Sequence, residues 1–174
     1  LGQLAAMSTD TLSAFESLLS DLDVDCRRTD STEFNNVLDD VVEEPAVGAL
    51  LEGYDVSLED TPVTLEPTPR QLKNAATGVT PVGRAIAEYG SLVIESNFAG
   101  NEPISLYPPT HVAVVRESDV VPNVEAATDH LSGRFAAGRS AVFATGVSST
   151  GDMGALVEGV HGPKTVRVVL LTDQ

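Results

Sequence analysis

The residues best suited to chemistry lie in one run near the carboxyl end, Gly146-Val147-Ser148-Ser149-Thr150-Gly151-Asp152. A loop of small residues between a strand and a helix can aim free backbone N–H groups at an anion. Ser148, Ser149 and Thr150 would add hydroxyl donors. In open α/β sheets, ligands sit outside the carboxyl ends of the strands, and this loop is expected there. Ser and Thr ahead of a helix are equally ordinary caps. Asp152 would repel a phosphate, so it caps, takes a ligand hydroxyl or sits beside a cation. The run is no P-loop, since the Gly-Lys-Ser/Thr ending is missing.

Three further residues could move protons. Glu88, in Ala87-Glu88-Tyr89-Gly90, is placed by the pattern at a helix end, where the dipole disfavours a carboxylate. His111 follows the turn Tyr107-Pro108-Pro109-Thr110, and His161 sits in the Gly-bounded turn Gly159-Val160-His161-Gly162-Pro163. Either imidazole titrates near neutral pH and could serve as general acid or base, or be a satisfied structural histidine. Three scattered histidines and Cys26 make no recognisable metal set, and no nucleophile-elbow pattern supports a Ser–His–acid arrangement.

These residues need a scaffold, and the hydropathy pattern supplies one. Thr9 is a plausible cap for a helix that aligns Leu12, Phe15, Leu18 and Leu19. A short strand over 24–26 follows. Asp30-Ser31-Thr32-Glu33 then has capping-box spacing before Phe34, Val37, Leu38 and Val41. Residues 47–51 read as a buried strand, and 53–71, with Pro62, Pro67 and Pro69, as an irregular connector. Thr80-Pro81 predicts a helix start with its end at Gly90. A strand over 91–95, a loop over 97–109 and a strand over 111–116 come next. A helix from Pro122 aligns Val124, Ala127, Leu131 and Phe135. A strand over 141–145, a helix over 151–160 and a final strand over 166–172 complete the pattern. Alternating strands and helices predict one α/β domain, its sheet at least partly parallel, with helices on both faces.

Composition limits the partners. The chain has 174 residues, 26 acidic and 10 basic, for a net charge of −16, and only Lys73 and Lys164 are lysines. At molar salt the Debye length falls to about 3 Å and self-repulsion largely vanishes. Short carboxylates with few lysine stems are what a very salty cytoplasm favours, so a halophilic, cytoplasmic protein is expected, with an ordinary acidic protein as the alternative. Nucleic acid and anionic membranes are poor partners for such a charge. With one cysteine, Cys26, the chain's own thiolates can hold no iron–sulfur cluster. No run of about 18 apolar residues and no signal-peptide pattern is present. Met7 followed by Ser8-Thr9-Asp10 is expected to open the domain (7–174), with residues 1–6 extraneous to it.

Taken together, the motifs resemble the LUD domain, the lactate-utilisation protein C family. The resemblance rests on Gly78-Val79-Thr80, Ala85-Ile86-Ala87-Glu88-Tyr89-Gly90-Ser91-Leu92 and Leu106-Tyr107-Pro108-Pro109-Thr110-His111. It continues through Gly146-Val147-Ser148-Ser149-Thr150-Gly151-Asp152-Met153 and Val160-His161-Gly162-Pro163. The order and spacing agree over residues 78–172. The sequence departs from the family pattern at Tyr89 (for threonine), Val147 (for proline), Ser149 (for arginine) and Gly154 (for glutamate).

The resemblance implies a Rossmann-like, three-layer α/β fold of the sugar-phosphate isomerase and CoA-transferase kind. It also implies a role in oxidising lactate to pyruvate beside iron–sulfur partner proteins. Within its motifs Glu88, His111 and His161 are the catalytic candidates. Gly90, Ser91, Gly146, Ser148, Ser149, Thr150, Asp152 and Gly162 are the candidates for holding a small anion. Two other functions fit the same residues: an enzyme acting alone on a phosphorylated sugar or acyl-CoA, and a ligand sensor without catalysis.

Overall fold

The computed structural model describes residues 2–147, 149–150, 157–158 and 162–174, with side chains described over 10–147 and 162–174. Helix α1 (Gly2–Asp21) turns Leu12, Phe15 and Leu19 inward, and strand β1 (Asp25–Thr29) follows. Asp30 Oδ1 accepts from the N–H groups of Thr32 and Glu33, which launches α2 (Phe34–Val41) with Phe34, Leu38 and Val41 buried. Strands β2 (Ala46–Gly48) and β3 (Val63–Leu65) lead to α3 (Pro69–Asn74), which opens on a capping box between Thr68 and Gln71. Three strands then run close together: β4 (Thr77–Pro81), β5 (Arg84–Ile86) and β6 (Ser91–Glu95). Helix α4 (Asn101–Leu106), β7 (Thr110–Arg116) and the short β8 (Val120–Val121) precede α5 (Val124–Ala136). Asn123 caps α5 by accepting from the Ala126 N–H. Strands β9 (Ala141–Thr145), β10 (Ser149–Thr150), β11 (Val157–Glu158) and β12 (Thr165–Leu171) end the order.

Six strands form a wholly parallel sheet in the order β1-β12-β7-β4-β2-β3. The period-2 alternation of β7 and β12 divides the apolar side chains between its two faces. Val112 and Val114 join Val169 and Leu171 beneath α2. Ala113 and Val115 join Val166, Val168 and Leu170 on the opposite face, against α1. A second sheet, β8-β5-β6-β9, packs on that same face and turns Ile86 and Val93 outward against Ala127 and Leu131 of α5. The architecture is a Rossmann-like α/β domain, a parallel sheet flanked by helices. α4 lies close on β4 because Gly78 has no side chain, and a Cβ there would overlap the Ile104 carbonyl.

Several expected elements differ. The helix expected from Thr80-Pro81 to Gly90 is instead the end of β4, strand β5 and a turn. Val82, Ala85 and Ile86 satisfy a helical period, yet Ala85 and Ile86 pair with β6 and β8 and Val82 donates its N–H to the Val114 carbonyl of β7, so pairing between strands wins. The strands expected at 91–95 and 141–145 do form, but in the second, mostly antiparallel sheet. The 97–109 loop holds α4, and the 53–71 connector holds β3 and the start of α3. α1 runs through Ser8-Thr9-Asp10 rather than starting there. Where a helix was expected over 151–160, Val157 and Glu158 form β11, paired antiparallel with β10; the rest of that span lies outside the described residues.

Candidate functional site

The residues singled out by sequence meet only in part. β6 and β9 pair so that Ser91 faces Thr145, and the two hydroxyls lie 2.6 Å apart. Gly90 and Gly146 flank this pair with φ of +63° and +68°, and both press on Leu22 at the end of α1. A Cβ at Gly90 would stand 3.0 Å from Leu22 Cδ1, so packing as well as backbone conformation calls for glycine there. His111, at the start of β7, is buried and has Nε2 2.9 Å from Thr80 Oγ1. Burial without a charged partner pushes its pKa down to about 4, so the ring is neutral at pH 7. A slot of about 190 Å³ joins these pieces, lined by Ser105, His111, Phe143, Thr145, Gly146 and Gly162 among others.

This slot lies where β7 and β12 begin, not outside the carboxyl ends of the parallel strands as expected for the loop after residue 145. The reason is topological. β9 belongs to the second sheet and runs antiparallel to β6, so Gly146 and Val147 after it line the slot rather than the crevice of the parallel sheet. Glu88 does not end a helix. It is exposed on the turn between β5 and β6, its N–H donating to the Pro122 carbonyl, so the dipole reasoning does not apply to it. Ser148, Asp152 and His161 lie outside the described residues, and Ser149 and Thr150 are described only as backbone of β10.

The carboxyl ends of β2, β4 and β7 carry a different constellation, which the sequence pattern did not flag. The chain leaves β2 toward β3 and leaves β4 toward β7, in opposite directions, which opens a crevice between β2 and β4. Four arginines line that crevice: Arg84, Arg116, Arg134 and Arg139. Asp119, almost fully buried, pairs with both Arg84 and Arg116. Arg116 also donates to the Gly53 carbonyl and lies 4.8 Å over the Tyr54 ring. Across the gap, Glu95 pairs with His130 Nε2 at 2.7 Å and with Arg134 Nε at 3.4 Å. The Glu95 carboxylate rests over Gly83, where any Cβ would overlap it. The Asn101 side-chain oxygen is buried in the lining with no hydrogen-bond partner among the described residues.

The LUD domain family profile matches residues 49–171, well over half of the chain. The chain belongs to the LUD domain family. A lactate utilization protein C from Deinococcus radiodurans is 30% identical over 124 residues, covering 70% of this chain and 57% of that protein. Its counterpart in Bacillus subtilis is 31% identical over 110 residues, covering 60% of this chain and 46% of its own length. The chain therefore spans about half the length of these relatives. The crystal structure of a DUF162 family protein from Deinococcus radiodurans superposes with a TM-score of 0.75 at 19% identity, covering 95% of this chain and 98% of that one. That likeness establishes a shared fold.

The structure gives several LUD motif residues a packing role. Gly78 admits α4, Thr80 holds His111 across two motifs, and Gly90 and Gly146 seat α1. Val147, where the family has proline, lines the slot, and Tyr89 is exposed. His130 and Arg134 share α5 and Arg139 follows five residues on, but Arg84, Glu95 and Arg116 come from three other segments, so sequence reasoning did not gather the six into one site. One signal was present: with eight arginines in a chain of net charge −16, four in one place is a concentration worth seeking.

Proposed function

We propose that this chain is a non-redox component of an iron–sulfur-dependent system that oxidises lactate to pyruvate, in which it binds a small organic anion or docks a partner protein. The relatives named lactate utilization protein C support the pathway. The observation that carries the binding role is the slot, where His111, Gly146 and Gly162, distant in sequence, line one cavity beside the Ser91–Thr145 pair. Cys26 is the one cysteine of the chain, too few thiolates to hold a cluster, so clusters are assigned to the partners. Docking is supported by the surface: five of the eight aromatic residues, Tyr89, Phe98, Tyr107, Phe135 and Phe143, are exposed.

Catalysis by this chain alone on a sugar phosphate or acyl-CoA has less support. Its proposed base, Glu88, is exposed and does not line the slot, and His111 is too weak a base at a pKa of about 4. A melting screen in molar KCl with lactate, pyruvate, coenzyme A and sugar phosphates tests the proposal. A ligand present at 100 times its dissociation constant adds about 2.7 kcal/mol. Thr145→Val is expected to weaken that shift. Co-purification with a cysteine-rich protein supports the docking role. Turnover by the isolated chain that Glu88→Gln abolishes would overturn the proposal.

A further inference from the structure

From the arginine crevice we infer a second ligand site, independent of the slot, for a small oxyanion that carries a hydroxyl group. Four guanidiniums gather there against Glu52, Glu95 and Asp119, with Asp55 also acting on Arg116, so the crevice is close to charge balance on a strongly negative molecule. The guanidiniums also keep donors to spare. Arg84 spends Nη1 on Asp119 and the Gly83 carbonyl, leaving Nε and Nη2. Arg116 spends Nε and Nη1, leaving Nη2, and Arg139 stands exposed at the rim with no ion pair among the described residues. Each arginine brings five N–H groups in a planar fork that matches a carboxylate or phosphate edge.

The anchoring of these groups separates the crevice from an ordinary charged surface. Asp119 is buried behind Arg84 and Arg116 and holds both, and the Tyr54 ring supports one of them. A buried acceptor that lacks a donor marks a place left for one. Asn101 is 5% exposed, and its Oδ1 has no partner among the described residues. A bare anion offers it nothing, whereas a hydroxyl beside the anion donates to it. A cavity of about 130 Å³, several water molecules in size, admits a small acid of this kind. A hydroxy acid and a hydroxylated phosphate ester share this chemistry.

Calorimetric titration of the whole chain in molar KCl separates the two sources and tests the site. The probes are L-lactate against propionate and glycerol 3-phosphate against inorganic phosphate. In one pair the hydroxylated member is expected to bind about tenfold tighter or better, the worth of a buried hydrogen bond otherwise unmade. Arg134→Gln combined with Arg139→Gln is expected to weaken that binding about tenfold, from the charge-assisted bonds lost, at an unchanged melting temperature. Asn101→Leu is expected to erase the preference within the pair while the oxyanion still binds. Should that variant fail to fold, the arginine variant decides. The inference fails if no probe gives heat, if both members of each pair bind alike, or if the arginine variant binds normally. Binding lost on Thr145→Val but kept in the arginine variant assigns the ligand to the slot. That result overturns the crevice and leaves the proposed function standing.

Discussion

His111 shows how one buried group couples the candidate site to stability. Its folded pKa, about 4, lies below the unfolded value near 6.5, because burial penalises the imidazolium. Above pH 6.5 both states hold a neutral ring and nothing is lost. Between pH 6.5 and 4 the unfolded chain binds a proton that the folded one does not, so stability falls as pH falls. From pH 7 to 5 the loss from this group is about 2 kcal/mol. Urea midpoints of the parent and His111→Leu, each at both pH values, isolate the effect, since the many carboxylates cancel in the difference. An equal pH slope in both proteins would contradict the buried neutral ring. Cys26, with its thiol pushed up to about 12, is expected to resist alkylation in the native state and react on unfolding. At this scale the sequence named His111, Ser91, Gly90 and Gly146 as special, and all four occupy demanding positions. It could not tell whether the demand is packing or chemistry, since a glycine at positive φ under Leu22 and a glycine beside a ligand look alike in a string of letters.

Among the elements, close approaches decide where helices and strands sit. Gly78 lets α4 lie against β4, and the atom a Cβ would strike is the backbone carbonyl of Ile104, which cannot rotate away. Gly78→Ala is therefore expected to cost about 3 kcal/mol or more, the upper end of overpacking penalties, measured by denaturant unfolding. Gly83→Ala tests a different contact, because the obstructing group is the end of the Glu95 side chain rather than backbone. A smaller stability loss, on the order of 1 kcal/mol, is expected there, together with displacement of Glu95 from His130. An NMR shift of the His130 ring reports that displacement. Long, evenly periodic elements such as α2, β7 and β12 were legible, as each buries one face against a partner its own pattern anticipates. The stretch over residues 80–90 was not. Its apolar residues fit both periods, and only pairing with β6 and β8 resolves them into β5 and a turn.

On the scale of the whole molecule, charge is distributed unevenly. Sixteen of the 26 acidic residues fall in the first 70 positions, and residues 130–174 hold only Asp152, Glu158 and Asp173. The fold sharpens this asymmetry by drawing arginines from β5, β7, α5 and the residues after α5 into one crevice. Self-repulsion at a net charge of −16 is screened in molar salt, so stability is expected to rise between low and molar KCl. A gain on the order of 2 kcal/mol would raise the melting temperature of a chain this size by about 5 °C. Equal melting at both salts would remove the case for a saline habitat. Composition, hydropathy period and motif order are local properties, and from them the α/β class, the family and the acidic character could be read directly. The crevice was out of reach because Arg84, Arg116 and the Arg134–Arg139 stretch come from three separate segments that share no motif. Only strand order and the division into two sheets bring them together, and those follow from long-range backbone pairing that no local pattern encodes.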